Sequence, residues 1–309
     1  MVSKMVAKIS GFTLIRNGTR FDYPYLESLR SLAPLVDEWV INVGLGDDDT
    51  LARVREFAQN EVLGKVVIFE SDWQLDQPEK KRGGLILSEQ TNLALDRCTH
   101  DWCVYLQADE VLHEEDHACI KKAIQEQNAH SDIDGLLFQY RHFYGSFDVI
   151  QDSRNVYRRE VRVIRKSSGA RSVGDAQSFR KSDGEKLRVV HCGARIFHYG
   201  WVRTPAAMKE KTFFMDQLYH GDPSAKDAQD GTPHTGDNYR YKRIWGLRPF
   251  CETHPQVMAL RIQNQGWHWD LKNSPFIFSW RDIKNVVLDT IERVTGYRFF
   301  EYRSYRLVR

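Results

Sequence analysis

The sequence predicts an α/β fold: a mainly parallel mixed sheet flanked by helices, followed by a C-terminal helical and irregular extension. Three observations carry that reading. Short β-branched and aromatic runs alternate with stretches of helical periodicity from residue 8 to residue 106. Each of the first four runs stops abruptly in a polar loop. Beyond residue 130 more strand-like runs follow, without obvious crossover helices between them.

Taken in order, Lys8 to Ile15 reads as the first strand and stops at Arg16-Asn17-Gly18. Leu26, Leu29, Ala33 and Val36 then recur at helical spacing. Glu38 to Val43 is the second strand, closed by the turn Gly44-Leu45-Gly46-Asp47-Asp48-Asp49-Thr50. Leu51, Val54 and Phe57 mark the next helix, and Lys65 to Phe69 the third strand. A polar loop with Lys80-Lys81-Arg82-Gly83-Gly84 leads into a helix through Leu87, Leu93, Ala94 and Cys98. Trp102-Cys103-Val104-Tyr105-Leu106 is the fourth strand and runs straight into Gln107-Ala108-Asp109-Glu110. Alternation at this spacing builds right-handed βαβ units and therefore parallel strands. Leu136 to Tyr140, Val161 to Ile164 and Arg195 to Tyr199 read as later strands. Thr204-Pro205 offers an N-cap and a first-turn proline to a helix with Met208, Met215 and Leu218 on one face. Gly221 to Asp237 is rich in Gly and Asp, as a long surface loop is. The expected division is one domain over residues 1–220 and an extension over 221–309.

Composition narrows the class. A chain of 309 residues buries a substantial core, and a net charge of +2 gives no global field for nucleic acid. Five scattered cysteines, with no Cys-x-x-Cys spacing, fit a reducing compartment and no structural zinc. Neither a signal-peptide stretch nor an apolar run of membrane-spanning length is present, so a cytoplasmic location is expected.

In open α/β sheets, ligands bind beyond the carboxyl ends of the strands. The loops at Arg16-Asn17-Gly18, Gly44 to Asp49, Ser71-Asp72-Trp73 and Gln107 to Glu110 then line one cleft. Asp109, closing an apolar strand, is placed to hold a divalent cation, which takes hard oxygen ligands and neutralises a diphosphate. Taken alone, Asp47-Asp48-Asp49 reads as a solvated turn.

Over residues 6–200 the chain resembles a nucleotide-sugar glycosyltransferase of the GT-A fold, family 2-like. Val36 to Val43 through Asp48-Asp49-Thr50 is similar to that family's second strand and donor-binding turn. Asn92-Leu93-Ala94-Leu95 resembles the end of its Ala-Arg-Asn-x-Ala-Leu helix, and Asp101 to Leu112 its Asp-x-Asp-Glu strand. The resemblance implies donor contacts from Arg16, Asn17, Asp48, Asn92 and Gln107, and a Mn²⁺ or Mg²⁺ ion on Asp109. His198, in Ile-Phe-His-Tyr-Gly-Trp, is similar to the C-terminal histidine that completes such a metal site. Asp175, in the loop after the Arg162-Val163-Ile164-Arg165 strand, is the candidate base for the acceptor hydroxyl, with Asp152 and Glu252 behind it. The pattern also departs from the family. Gln107 replaces the first aspartate and Val43 a base-contacting aspartate. Thr91 replaces an arginine, whose charge Lys80, Lys81 or Arg82 could restore.

The tail from Arg293 to Arg309 interleaves five arginines with five aromatics. The plain expectation is aromatics packed inward and arginines in solvent; a functional tail fits an anionic membrane surface better than nucleic acid. The expected activity is sugar transfer from a nucleotide-diphosphate sugar to a hydroxyl on a glycan or lipid-linked acceptor, with inversion, in building a surface glycan. The rivals are a non-catalytic nucleotide-sugar binding scaffold, a nucleotidyltransferase lacking its usual Gly-rich loop, and a nucleic-acid binder using the tail.

Overall fold

The computed structural model describes residues 6–62, 64–130, 132–221, 239–278 and 280–308. Most of the polar stretch expected as a long loop, and Arg309 of the tail, therefore lie outside the described residues. Strands β1 (Ile9–Ile15), β2 (Glu38–Gly44), β3 (Lys65–Ser71) and β4 (Trp102–Tyr105) are mutually parallel in the order β3-β2-β1-β4. Helices α1 (Tyr25–Leu32), α2 (Thr50–Asn60) and α3 (Leu85–Arg97) connect them. The expected first helix continues to Val36, but α1 ends at Leu32. Pro34 has no N–H to continue the ladder, and Ala33–Leu35 tightens into a 3₁₀ turn.

Alternation along the strands divides the core in two. Trp39, Ile41 and Val43 of β2 and Trp102 and Val104 of β4 pack with residues of α1 and α2 and with Ile120 and Ile124. Val40, Cys103 and Tyr105 point the other way and meet Ala94 and Leu95 of α3. Helices on both faces let the strands be apolar on both sides, which is why they read as continuous runs.

Past β4 the chain turns back. β5 (Glu110–Leu112) precedes α4 (His117–Gln127) and the long strand β6 (Gly135–Tyr144). β7 (Ser146–Gln151) and β8 (Arg159–Arg165) follow, with β8 inserted antiparallel between β4 and β6. A small hairpin of β9 (Ala170–Val173) and β10 (Ser178–Lys181) leads to β11 (Arg188–Trp201), which runs parallel to β6. Two reversals restore the original direction, so β11 ends on the edge where β1 to β4 end.

Helix α5 (Pro205–His220) then crosses that edge, opened as expected by Thr204, whose hydroxyl accepts the Ala207 N–H. Strand β12 (Leu247–Pro249), the short helix α6 (Ala259–Gln263), α7 (Trp280–Thr295) and strand β13 (Arg306–Leu307) complete the chain. β12 pairs with β7 and β13 with β11, so the C-terminal segment is stitched into the main sheet.

One buried acid sets a pH limit on the parallel half. Glu38 accepts from Ser10 Oγ at 2.6 Å, the Thr99 N–H and Lys65 Nζ at 3.1 Å. Burial alone raises its pKa, but these donors outweigh it and hold the group at about 2. Its contribution is therefore complete above the ordinary value of 4.5 and disappears as pH falls from there toward about 2. Glu38→Gln is expected to cost about 2 kcal/mol at neutral pH, since a bond to a charged acceptor is worth ~1.5–3 kcal/mol. Urea unfolding at pH 7 and near pH 3 should show that difference shrinking in acid.

Candidate functional site

The carboxyl edge carries a cavity of 210 Å³ lined by Arg16, Trp73, Gln107, Asp109, Asp175 and His198, among others. Helix α5 covers it with Lys211, Phe214, Met215 and Tyr219. Topology explains why Asp109 and His198 meet across so long a sequence separation. β5 pairs antiparallel with β11, His198 opposite Glu110, and the Tyr199 N–H donates to the Asp109 carbonyl at 2.8 Å. That register brings His198 Nε2 to 3.7 Å from Asp109 Oδ1.

Two cations also stand against Asp109. Lys211 Nζ is 3.4 Å away and donates to the Gly200 carbonyl at 2.6 Å; the Arg203 guanidinium is at 4.0 Å. Burial alone raises the Asp109 pKa, but Lys211, His198 and Arg203 together hold it at about 2. Burial and the Arg203 charge bring Lys211 down to about 7, against the opposing pull of Asp109. Gly200 has to be glycine, because a Cβ there would lie 2.5 Å from the His198 ring.

A second histidine orients the first. Burial, then the nearby His198, pushes His142 down to about 3, so it is neutral. Its Nε2 donates to the Tyr157 carbonyl at 2.7 Å, leaving Nδ1 to accept from His198 Nδ1–H at 3.0 Å. His198 thus presents the lone pair of Nε2 toward Asp109.

The other half of the acidic motif is structural. Glu110 is fully buried and takes two 2.8 Å bonds from Arg162, one of 2.7 Å from the Tyr140 hydroxyl and one of 3.1 Å from the Gln107 N–H. Arg162 also donates to the Val161 and Gln177 carbonyls. This network pins the turn that carries Asp109.

The remaining expected residues divide. Arg16 lines the cleft, donates to the Leu45 carbonyl and lies over the rings of Trp73 and Phe214. The buried Trp73 Nε1 has no hydrogen-bond partner among the described residues. Gln107 donates to the Ala176 carbonyl, and Asp175 accepts from the Tyr219 hydroxyl at 2.6 Å.

Four other residues do not join the cleft lining. Asn92 spends its amide on the Ser172 backbone in both directions, at 2.9 Å each, and fastens α3 to β9. Asp48 accepts from the Arg20 and Thr50 N–H groups, and Asn17 from that of Asp47, so both shape the β1 and β2 loops. Arg82 is exposed, and Lys80 pairs with Glu89 at 2.6 Å. The cation at the site comes instead from α5. Lys211 stands in register with Met208, Met215 and Leu218, and a lysine inside an apolar stripe is the sequence signal for it.

No protein-family model matches the chain, and no curated protein sequence matches it. Solved structures of S. aureus TarS are among those that match the chain. One gives a TM-score of 0.38 at 15% identity, covering 67% of this chain and 39% of that one. A TarS 1–349 structure in complex with UDP gives 0.35 at 14%, covering 67% and 64%. Another, in complex with UDP-GlcNAc, gives 0.30 at 20%, covering 44% and 34%. The chain thus spans less than two thirds of the length of each.

Proposed function

We propose that this chain transfers a sugar, with inversion, from a nucleotide-diphosphate sugar to a hydroxyl on a glycan or lipid-linked acceptor. The supporting observation is the convergence of Arg16, Trp73, Asp109, His198 and Lys211 in one covered cleft at the carboxyl edge of four parallel strands. A flat heterocycle suits the aromatic and guanidinium surfaces of Trp73, Phe214 and Arg16, and an anionic diphosphate suits Lys211.

The expected divalent metal fits these residues poorly. Among the described residues no cluster of three or more His, Cys, Asp or Glu is arranged to hold an ion. Asp109 and His198 supply two donors, but Asp109 already faces Lys211 and Arg203. Each unit of added positive charge near 4 Å from an ammonium costs about 4 kcal/mol at an effective dielectric near 20. In this reading Lys211 faces the leaving diphosphate, and Asp109 and the Gly200 carbonyl hold its ammonium in place. Asp175 takes the acceptor hydroxyl proton while the acceptor oxygen bonds to the anomeric carbon. The bond from that carbon to the diphosphate oxygen breaks, and the nucleotide leaves with the electron pair.

The test is a panel of nucleotide sugars, with Mn²⁺ or with chelator, read by thermal stabilisation and nucleotide release. One donor should stabilise the protein in chelator. Asp175→Asn should then lower turnover about a hundredfold or more while donor affinity stays within about twofold. Stabilisation by no nucleotide sugar in either condition rejects the proposal.

A further inference from the structure

Helix α7 is amphipathic the wrong way round for a soluble protein. Its body-facing side is polar. Asp289 accepts from Trp245 Nε1 at 2.8 Å and lies 3.3 Å from Arg154; Glu292 holds Arg154 and Arg158; Asn285 donates to Asn155. The opposite side is apolar and in solvent: Trp280 is 89% exposed and Val294 81%, with Ile283, Val287 and Ile291 between them at helical spacing. Surface helices ordinarily bury that stripe.

The segments flanking α7 are apolar and exposed as well. Phe276, Ile277 and Phe278 precede it, and Tyr297, Phe299, Phe300 and Tyr302 follow, all exposed. In the tail, Tyr297, Phe299, Phe300 and Tyr302 depart from the expectation of inward aromatics, while Tyr305 is buried and Arg293, Arg303 and Arg306 are exposed as expected. Arg298 turns in toward Glu292 and Glu301 instead. An exposed apolar stripe of this kind marks a docking face.

Charge identifies what docks. Asp289, Glu292 and Glu301 face inward in ion pairs with Arg154, Arg158 and Arg298. The described charged side chains of 280–308 that are exposed are Lys284, Arg293, Arg303 and Arg306, all cationic. A second copy of this chain would bring like charges together, whereas an anionic lipid headgroup layer complements them. Trp280, Tyr297 and Tyr302 are also the side chains that settle at a bilayer interface. Among the described residues no helix is long and apolar enough to cross a membrane, so the face lies on a bilayer and does not span it.

We infer that α7 and its flanking aromatics form a docking face for a bilayer bearing anionic lipids. A cavity of 410 Å³ behind this face, lined by Arg154, Arg158, Arg159 and Lys284, shares Tyr157 and Gln177 with the covered cleft.

Co-sedimentation of the full chain with vesicles tests the assignment. Vesicles of phosphatidylcholine mixed with phosphatidylglycerol should carry the protein down at low salt, and vesicles of phosphatidylcholine alone should not. Val287→Asp combined with Val294→Asp should weaken binding about tenfold or more. Removing Arg293 by Gln should cost about fivefold. Both valines are solvent-exposed, so circular dichroism of the double variant should match the parent. Absence of binding to the mixed vesicles at low salt, or unchanged binding by the double variant, overturns the inference. A parent that sediments as a dimer in the ultracentrifuge, with the double variant a monomer, also overturns it and assigns the face to a second copy.

Discussion

Lys211→Met should weaken binding of a nucleoside diphosphate by about a hundredfold, and added Mn²⁺ should not restore it. A charge-assisted bond to a buried anion contributes ~1.5–3 kcal/mol, equivalent to roughly ten- to a hundredfold in affinity. The upper end applies because Lys211 and Asp109 are both largely shielded from water, at 13% and 10% side-chain exposure. Removing the ammonium also leaves Asp109 with Arg203 at 4.0 Å as the one lysine or arginine within 4 Å among the described residues. Calorimetric titration with the free nucleoside diphosphate reads the effect without turnover. Asp109→Asn should also weaken binding, since it withdraws the carboxylate that favours the protonated form of Lys211. Metal-dependent binding in the parent, abolished by Asp109→Asn and untouched by Lys211→Met, would return the site to a bound ion.

Glu110→Ala should destabilise the fold by about 3–5 kcal/mol. That is the usual cost of removing one partner of a buried ion pair, because the other charge is left without compensation. Both side chains of the Arg162–Glu110 pair are 0% exposed, and the acid also serves the Tyr140 hydroxyl and the Gln107 N–H. Arg162→Met in the same background should recover much of the loss, since a pair replaced by apolar groups is often neutral. Urea unfolding of the parent, the single variant and the double variant supplies the cycle. A loss below about 1 kcal/mol for Glu110→Ala would show that the network does not hold the motif turn.

The parallel half of the sheet was legible in the sequence because its signal is local. Apolar runs ending in polar loops, separated by helical periodicity, determine each βα unit without knowledge of the rest. The antiparallel half was less so. β8 sits between β4 and β6, and no feature of Arg159 to Arg165 names its neighbours. Asp109 and His198 each carried a signal, but their adjacency depends on the register of β5 on β11. Lys211 was legible and overlooked: it interrupts the apolar stripe of α5 at Met208, Met215 and Leu218. Asn92 carries a motif-like signal, and what the sequence does not show is that its amide bonds the Ser172 backbone. In the tail the expectation fails for Tyr297, Phe299, Phe300 and Tyr302, which are exposed, and for Arg298, which turns inward. Periodicity shows which residues share a side of α7, but the direction of that side is set by Arg154, Arg158 and Arg298, which lie elsewhere in the sequence.

Helix α5 carries one more consequence. Its C-terminal carbonyls, at Leu218 and Tyr219, accept from the Gly84 and Gly83 N–H groups at 3.0 and 2.9 Å, both glycines at positive φ. Tyr219 is tied to Asp175, Lys211 to Gly200, and Glu210 to Arg20. The helix that roofs the cavity also carries its cation and touches the proposed base. A nucleotide held in this cavity would therefore meet its cation and the partner of the proposed base on one helix, and a change in the seating of α5 on Gly83 and Gly84 would displace both together.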